Sequence, residues 1–161
     1  DYVEMIRSNT SDALEKIRAV LRDIRAEEEP EPDLHQLLRK LKVVFEFWTG
    51  VDVEYVFGTT KIASLEPYRK VVYNFIQEAM INAFRHGRAT LVRVFFWDDS
   101  DQYSVAVRDN GVGTASVDVG ISAMRERAES LAGRVVIPRV KNGFSIEMHL
   151  PKIRSHADAE D

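Results

Sequence analysis

The 161-residue sequence lacks cysteine altogether, and no apolar run in it approaches the roughly 18 residues that a membrane span needs. The missing cysteines exclude a disulfide scaffold and thiolate metal sites, and they fit a reducing compartment. A net charge of −4, without a basic stripe mixed with aromatic residues, argues against a nucleic-acid surface. Because the N-terminus shows no signal-peptide pattern either, we expect a cytoplasmic chain with no membrane segment and no nucleic-acid partner.

The sequence does contain enough apolar material for one core. With 161 residues, of which 45% are hydrophobic, the chain can bury one good core, and a second independent core is not expected. The chain begins with Asp1 rather than Met, so we expect it to be part of a longer protein. Whether that parent is attached to a membrane stays open.

Residues 1–26 contain an apolar repeat that is typical of a coiled coil or helical bundle. The repeat advances in alternating steps of three and four residues, and Leu14 and Leu21 widen it; its positions are Val3, Ile6, Thr10, Ala13, Ile17, Val20 and Ile24. A period of about 3.5 favours a dimer or a multi-helix bundle. A helix packed on its own domain is the alternative. The acidic, proline-punctuated segment 27–32 then predicts a linker or hinge.

The remainder of the chain predicts alternating helices and strands. Asp33 suits the N-cap of a helix that runs to about Trp48 and is stopped by Gly50. Further helices are predicted over Tyr68–Gly87 and Val119–Leu131, and strands over Val51–Phe57, Leu91–Trp97, Tyr103–Val107, Arg134–Ile137 and Phe144–Leu150. The last two strands are expected to form a hairpin closed around Asn142–Gly143. This order predicts an α+β two-layer sandwich over 33–151, with a mixed sheet covered by helices on one face, and a polar, disordered tail over 152–161.

The helix predicted over Tyr68–Gly87 has a row of polar residues at the margin of its apolar face. Its apolar arc consists of Val72, Ile76, Ala79, Met80 and Ala83. Glu78, Asn82 and His86 are spaced i, i+4, i+8 and therefore stack along one edge of that arc. Such a row has the core on one side and is open to a ligand on the other. An ordinary solvated boundary is the commoner explanation for any one of the three, but the three together with Asp109 favour a binding site.

A second group of candidate residues comes after the strand predicted to end at Val107. Asp109 precedes Gly111 and Gly113, glycines that permit close approach of the backbone to a ligand, and its carboxylate can accept hydrogen bonds from a ring amine. A hairpin turn, the usual meaning of Asp-Asn-Gly, does not fit, because the next segment shows no strand alternation. Gly120 then opens a helix whose N-terminal amides suit phosphate oxygens.

These residue types favour magnesium over zinc. Asn82 offers a neutral oxygen to a hard cation such as Mg²⁺, which keeps waters and bridges to phosphates. Glu78 would hold one of those waters or act as a base. The four histidines are scattered and cysteine is absent, so the usual zinc ligand sets are not present.

Three segments, in this order, resemble the nucleotide-binding boxes of the GHKL ATPase superfamily. Gln77–Gly87 (QEAMINAFRHG) resembles the N box, and Asp109–Gly113 (DNGVG) resembles the G1 box. Gly120–Gly133 (GISAMRERAESLAG) resembles the G2 region of sensor histidine kinases that pair with LuxR-type response regulators, a subfamily with a very short ATP lid. The resemblance covers about 33–151, and it places 1–26 where the last helix of the dimerisation and phosphotransfer bundle would be.

The resemblance implies a Bergerat-type ATPase fold and roles for individual residues. Asp109 would contact the adenine amine, and Asn82 would bind Mg²⁺. Glu78 would be the N-box acid, with a catalytic role and a contact to the metal through a water. The remaining ATP-binding positions would be Arg85 near phosphate, His86 at the edge of the pocket, and the lid glycines Gly111, Gly113 and Gly120.

The implied activity is that of a protein histidine kinase, which transfers the γ-phosphoryl of Mg-ATP to a histidine of the bundle. The implied partners are a second copy, held through the N-terminal helix, and a LuxR-type response regulator. No segment resembles the family's phosphoacceptor sequence ERxRIARELHD, so this fragment alone should bind ATP without autophosphorylating. Asp118 replaces a family glycine, and its repulsion of phosphate predicts modest affinity for ATP.

Two other functions stay open on the sequence. A non-catalytic dimerisation module with a degenerate nucleotide pocket is favoured by Asp118 and by the missing histidine. An anti-sigma-type serine kinase would have the same fold, but the heptad helix and the segment 124–128 argue against it.

Overall fold

A computed structural model describes residues 12–22, 31–113 and 118–153. The first helix, α1, covers 12–22 of the described chain. The later elements are helix α2 (Leu34–Thr49), strand β1 (Asp52–Phe57), a 3₁₀ helix (Ile62–Tyr68), helix α3 (Arg69–Arg85), strands β2 (Leu91–Asp98) and β3 (Gln102–Asp109), helix α4 (Asp118–Ser130), and strands β4 (Arg134–Val136) and β5 (Phe144–Pro151). Within the described ranges, no helix combines the length and the apolar composition that crossing a membrane requires.

The five strands form one mixed sheet in the order β1-β2-β3-β5-β4. Strands β1 and β2 are parallel, and the other neighbours are antiparallel. Alternate side chains on each strand enter the core beneath the helices, as Val94, Val107 and Ile146 do. The α+β prediction of a mixed sheet with helices on one face is therefore confirmed.

Helix α2 begins and ends at the residues that the sequence predicts. Asp33 caps its N-terminus by accepting a hydrogen bond from the Gln36 amide, and the Gln36 side chain accepts one from the Asp33 amide in return. Gly50 ends the helix in the left-handed conformation, with φ of 72°. The strand β1 can therefore start within two residues of the helix end.

One local prediction is wrong, and one element was not predicted. Residues 62–68 form a 3₁₀ helix that contains Pro67 and leads directly into the central helix, which runs over Arg69–Arg85, within two residues of its predicted bounds. The hairpin of β4 and β5 is not closed around Asn142–Gly143, because the last strand pair is Val136 with Glu147 and 137–143 form a longer connection. Gly143 is instead in the left-handed region and lies against the backbone of Asp109. The turn at Gly143 therefore packs against the end of β3 and does not close the hairpin.

The described part of α1 packs on the rest of the chain. Leu14, Ile17 and Leu21 are buried and belong to the single core cluster. The Lys16 ammonium lies 5.3 Å from the centre of the Trp48 ring, so α1 also contacts α2. This packing agrees with the alternative in which the helix covers its own domain. The rest of the predicted seam, in 1–11 and 23–26, lies outside the described residues.

The predicted linker 27–32 is fixed at its C-terminal end. Arg69 forms an ion pair with Glu31, with 2.6 Å between Nη2 and Oε2, and donates a second hydrogen bond to the Pro32 carbonyl. Pro32 is itself buried. The rest of the predicted linker, 27–30, lies outside the described residues.

The tail predicted from 152 onward is held at its first residue. Lys152 donates a hydrogen bond of 2.6 Å to Asp98 through its ammonium, and its backbone amide donates one of 2.8 Å to the Asp101 carbonyl. The prediction of a disordered tail is thus wrong for Lys152, because the β2–β3 turn binds it. Residues 154–161 lie outside the described part of the chain.

Candidate nucleotide site

A cleft between α3, the end of β3 and α4 brings together the two residues on which the sequence prediction depends. Asn82 and Asp109 both line it, together with Gly113. The rest of the lining is mainly apolar, from the small residues Ala79 and Ala83 of α3 and from larger side chains of α4 and β5. A mostly apolar cleft with a few convergent polar groups is the usual form of a small-molecule site.

Helix α3 presents its polar row at the margin of its buried face, as its periodicity predicts. Ile76, Met80 and Ala83 are buried in the core, whereas Glu78 and Asn82 are half-buried. Side chains four residues apart lie one turn above another on the same face. The two polar groups therefore stand side by side where the core meets the cleft.

The Asp109 carboxyl group is buried at the end of β3, where only 8% of the residue is exposed. The Gly111 amide donates a hydrogen bond of 2.8 Å to its Oδ1, and Phe144 is the ladder partner of Asp109. Burial raises the pKa of Asp109 above its ordinary value, and the backbone amides of Gly111 and Phe144 offset the rise only in part. Among the described residues no cation forms an ion pair with it, so it is suited to accept a hydrogen bond from a neutral amine.

The loop after Asp109 is held by close backbone contacts that require glycine. A methyl group on Gly111 would collide with the Gly87 carbonyl, and the next amide, that of Val112, donates a hydrogen bond of 2.8 Å to the same oxygen. Gly113 has φ of 71°, which a residue with a side chain rarely adopts. The loop therefore lies against the C-terminal end of α3 and forms one wall of the cleft.

The first turn of α4 faces the polar row of α3. A methyl group built on Gly120 would lie 3.6 Å from Glu78 Oε1 and 3.7 Å from Asn82 Nδ2, which is ordinary van der Waals contact. Within the described ranges there is no group of three or more His, Cys, Asp or Glu side chains that could hold a metal ion. One carboxylate and one amide oxygen fit a hard cation that takes its other ligands from water and phosphate.

Comparison with known proteins identifies the chain's relatives. No protein-family model matches it. It is 26% identical over 152 residues to the signal transduction histidine-protein kinase/phosphatase DegS of Brevibacillus brevis, and 28% identical over 156 residues to the sensor histidine kinase LiaS of Bacillus subtilis. The chain is a homologue of sensor histidine kinases. These alignments cover 91% and 92% of the chain but only 39% and 42% of the two relatives.

Solved structures support the same fold for this histidine-kinase homologue. The ATP-binding domain of PrrB from Mycobacterium tuberculosis matches with a TM-score of 0.57 and 21% identity, covering 76% of this chain and 96% of that one. The histidine kinase domain of a blue-light-activated kinase from Erythrobacter litoralis matches with a TM-score of 0.58 and 16% identity, covering 90% and 74%. The fold is therefore that of histidine-kinase catalytic domains.

Two residues suggested by the resemblance do not line the cleft of this kinase homologue. Arg85 is exposed at the end of α3, and His86 is half-buried as the C-cap of that helix. The remaining candidates either line the cleft or contact its polar groups: Glu78, Asn82, Asp109, Gly111, Gly113 and Gly120.

Sequence reasoning missed the apolar wall of the cleft. Ile121 and Met124 contribute from α4, and Phe144 and Ile146 from β5. Phe144 pairs directly with Asp109 across the β3–β5 ladder, which places it beside the cleft. The alternation of apolar residues in β5 is visible in the sequence, but it indicates only a buried face and not which part of that face borders a ligand.

Proposed function

We propose that this chain is the ATP-binding catalytic part of a sensor histidine kinase. In the whole protein it would transfer the γ-phosphoryl group of Mg-ATP to a histidine of the dimerisation bundle, which is absent from this sequence. The proposal depends on one observation: Asp109 and Asn82 line the same cleft. Homology to sensor histidine kinases favours it over the dimerisation-only and serine-kinase alternatives. The chain spans less than half of DegS and LiaS, so activity and partners are proposed for the parent protein.

The buried end of the cleft is proposed to bind the adenine ring. The Asp109 carboxylate, oriented by the Gly111 amide at 2.8 Å, would accept a hydrogen bond from the exocyclic amine. Met124 and Ile146 would contact the faces and edge of the ring, since they line the same cleft. Guanine presents a carbonyl oxygen where adenine has its amine, and a carboxylate would repel that oxygen. The site should therefore select ATP over GTP.

The polar end of the cleft is proposed to hold the phosphates with Mg²⁺. Asn82 would supply an amide oxygen to the cation, and Glu78 would bind one of its waters. The bound cation would neutralise charge on the phosphate oxygens during transfer. Gly120 lies beside both side chains, so the amides of the first turn of α4 would be directed towards the same phosphates.

Catalysis is proposed to rest on positioning and charge neutralisation, which is general for phosphoryl transfer. Glu78 is the described carboxylate beside Asn82, and it would accept the proton of the incoming imidazole or orient it. The γ-phosphorus would bond to the imidazole nitrogen as its bond to the bridging oxygen of ADP breaks. The histidine has to come from the upstream bundle helix.

The proposed partners of the parent are a second copy and a response regulator of the LuxR type. The second copy would bind through 1–26, where Ala13 and Val20 of the predicted seam are only half-buried. Leu14, Ile17 and Leu21 are already covered by the chain's own core. Sedimentation of the 161-residue chain would test the dimer, and a monomer at all concentrations would contradict it.

Nucleotide titration and a subsequent transfer assay test the function. We expect the chain to bind ATP in the presence of Mg²⁺ and not GTP, and to label a separately supplied upstream bundle segment from γ-labelled ATP. The labelled product should lose its phosphate in acid, because phosphohistidine is acid-labile and phosphoserine is not. Failure to bind ATP, or an acid-stable product, would contradict the proposal.

A further inference from the structure

The side chain of Asn110 connects the loop after β3 to the start of β2. Its Oδ1 accepts hydrogen bonds from the amides of Thr90, at 2.9 Å, and of Leu91, at 3.0 Å. Its Nδ2 donates a third, of 2.8 Å, to the Thr90 hydroxyl. The β2–β3 ladder has its last pair at Val92 and Asp109, so these bonds extend the connection beyond the sheet.

The segment that Asn110 binds is a constrained turn. Arg88 has φ of 51°, a left-handed conformation that is unfavourable for a residue with a side chain. The Gly87 carbonyl on its other side accepts the hydrogen bond from Val112. The loop after Asp109 is thus held through the Asn110 side chain, through the Asn110 amide, which donates a hydrogen bond of 3.3 Å to the Leu91 carbonyl, and through the Val112 amide.

The same loop orients the Asp109 carboxyl group. Gly111 follows Asn110 directly, and its amide donates the 2.8 Å hydrogen bond to Asp109 Oδ1. Fixing the Asn110 side chain on Thr90 and Leu91 therefore fixes the direction of the Gly111 N–H. Both Asn110 and Thr90 are exposed, so neither is needed to fill the core, and solvent would satisfy their polar groups if the loop moved away.

We propose that Asn110 is a positioning residue for the nucleotide: its side chain clamps the loop after β3 to the start of β2 and so holds the Asp109 carboxylate towards the adenine amine. This inference rests on the proposed function. Asn110 acts through Gly111 and Asp109 and need not touch the ligand itself. Because the clamp is formed before the ligand arrives, the ordering of the loop does not reduce the affinity.

The test uses the 161-residue chain and three variants. Asn110→Ala removes the three side-chain hydrogen bonds but keeps the backbone bond to the Leu91 carbonyl, and we expect it to weaken ATP binding about tenfold. Asn110→Asp keeps an acceptor for both amides, and the Thr90 hydroxyl can donate to it, so it should recover most of the affinity. Thr90→Val removes only the third bond and should weaken binding about twofold.

Amide hydrogen exchange without nucleotide separates positioning from a general loss of stability. In Asn110→Ala the amides of Thr90, Leu91, Gly111 and Val112 should exchange about tenfold or more faster, while those of β5 stay protected as in the wild type. If Asn110→Ala is too unstable to measure, the ATP affinities of Asn110→Asp and Thr90→Val can still be compared with that of the wild type.

The outcomes are distinct. Equal ATP affinity in the wild type and Asn110→Ala would overturn the inference, and so would unchanged exchange at the four amides. An equal loss in Asn110→Ala and Asn110→Asp would overturn it as well, because acceptance of hydrogen bonds would then not matter. If the wild-type chain itself binds no ATP, the proposed function fails first and the inference falls with it.

Discussion

The buried and the open ends of the cleft differ in how many of the contacts to a ligand group the protein itself has already arranged. At the buried end Asp109 is 8% exposed and accepts a hydrogen bond from the Gly111 amide. At the open end Glu78 and Asn82 are half-buried on the margin of one helix, and the described residues offer no complete metal site there. This difference indicates that the setting of Asp109, the proposed adenine end, is preformed, whereas the proposed phosphate end needs the ligand and its cation to supply the remaining contacts.

The largest effect is expected from Gly111→Ala, which breaks the preformed end. A methyl group would collide with the Gly87 carbonyl and lie 3.0 Å from Asp109 Oδ1. Because the Gly87 backbone would have to move to relieve this collision, we expect a loss of about 1–3 kcal/mol in the free energy of unfolding and no measurable ATP binding. Urea denaturation and calorimetry measure both. Val112→Ala, at a residue 74% exposed, is the matched control, and a Gly111→Ala variant that binds ATP normally would contradict the preformed end.

Asn82→Ala tests the end that depends on the ligand. We expect the affinity for ATP to fall about tenfold in Mg²⁺, the value of one lost ligand to the cation. In EDTA the variant and the wild type should bind alike, because Asn82 acts through the metal. The measurement in EDTA is the control for the measurement in Mg²⁺. An equal loss with and without Mg²⁺ would mean that Asn82 contacts the nucleotide directly.

Gly120→Ala should separate folding from binding at the same end. The added methyl group finds ordinary contact distances of 3.6 Å to Glu78 and 3.7 Å to Asn82, so the free energy of unfolding should change by less than about 0.5 kcal/mol. The methyl group would nevertheless lie where metal and phosphate are proposed, and we expect about three- to fivefold weaker Mg-ATP binding. Thermal melting would measure the stability of the variant, and calorimetry on the same sample would measure its affinity for Mg-ATP. Full affinity would show that this space is not used.

The smallest expected effect is that of Asp109→Asn on the free energy of unfolding. This substitution should stabilise the fold slightly, although it weakens ATP binding. Burial raises the pKa of Asp109 in the folded state above its ordinary value of 3.8, so its ionised form opposes folding at pH 7. Asp109→Asn should therefore be slightly more stable than the wild type at pH 7. As the pH falls through the raised pKa, the wild type takes up a proton and its disadvantage disappears below 3.8. Urea denaturation at several pH values would show the gap closing, and a variant less stable at pH 7 would contradict this.

Periodicity and capping allowed much of the fold and the polar part of the site to be predicted. The arc around Ile76 and Met80 fixed which side of α3 meets the core, and Asp33 and Gly50 marked the ends of α2. Such signals are local, since they depend on residues a few positions apart. Periodicity predicts that Asn82 lies at the margin of the core, and the resemblance of motifs adds that Asp109 and Asn82 bind the same nucleotide.

The parts that sequence reasoning missed depend on contacts between distant segments. Gly143 was assigned to a hairpin turn, yet it lies against Asp109, more than thirty positions earlier. The Asn110 side chain binds Thr90 and Leu91 across twenty and nineteen positions. The 3₁₀ helix before Arg69 is only seven residues long and contains Pro67, so its apolar positions Ile62, Leu65 and Tyr68 are too few to identify it. The contacts of Gly143 and Asn110 are not determined by the neighbouring sequence and appear only when the strands are in register.

The most direct test of the account is ATP titration of Asp109→Asn by calorimetry, beside the wild type and Glu54→Gln. Glu54 forms an exposed ion pair with Arg93 on β2, away from the cleft, so its variant controls for the loss of one carboxylate. We predict that Asp109→Asn binds ATP at least about a hundredfold more weakly, the value of a charge-assisted hydrogen bond in a buried site, and that Glu54→Gln binds like the wild type. ATP binding that is unchanged in Asp109→Asn would contradict the assignment of the cleft to a nucleotide.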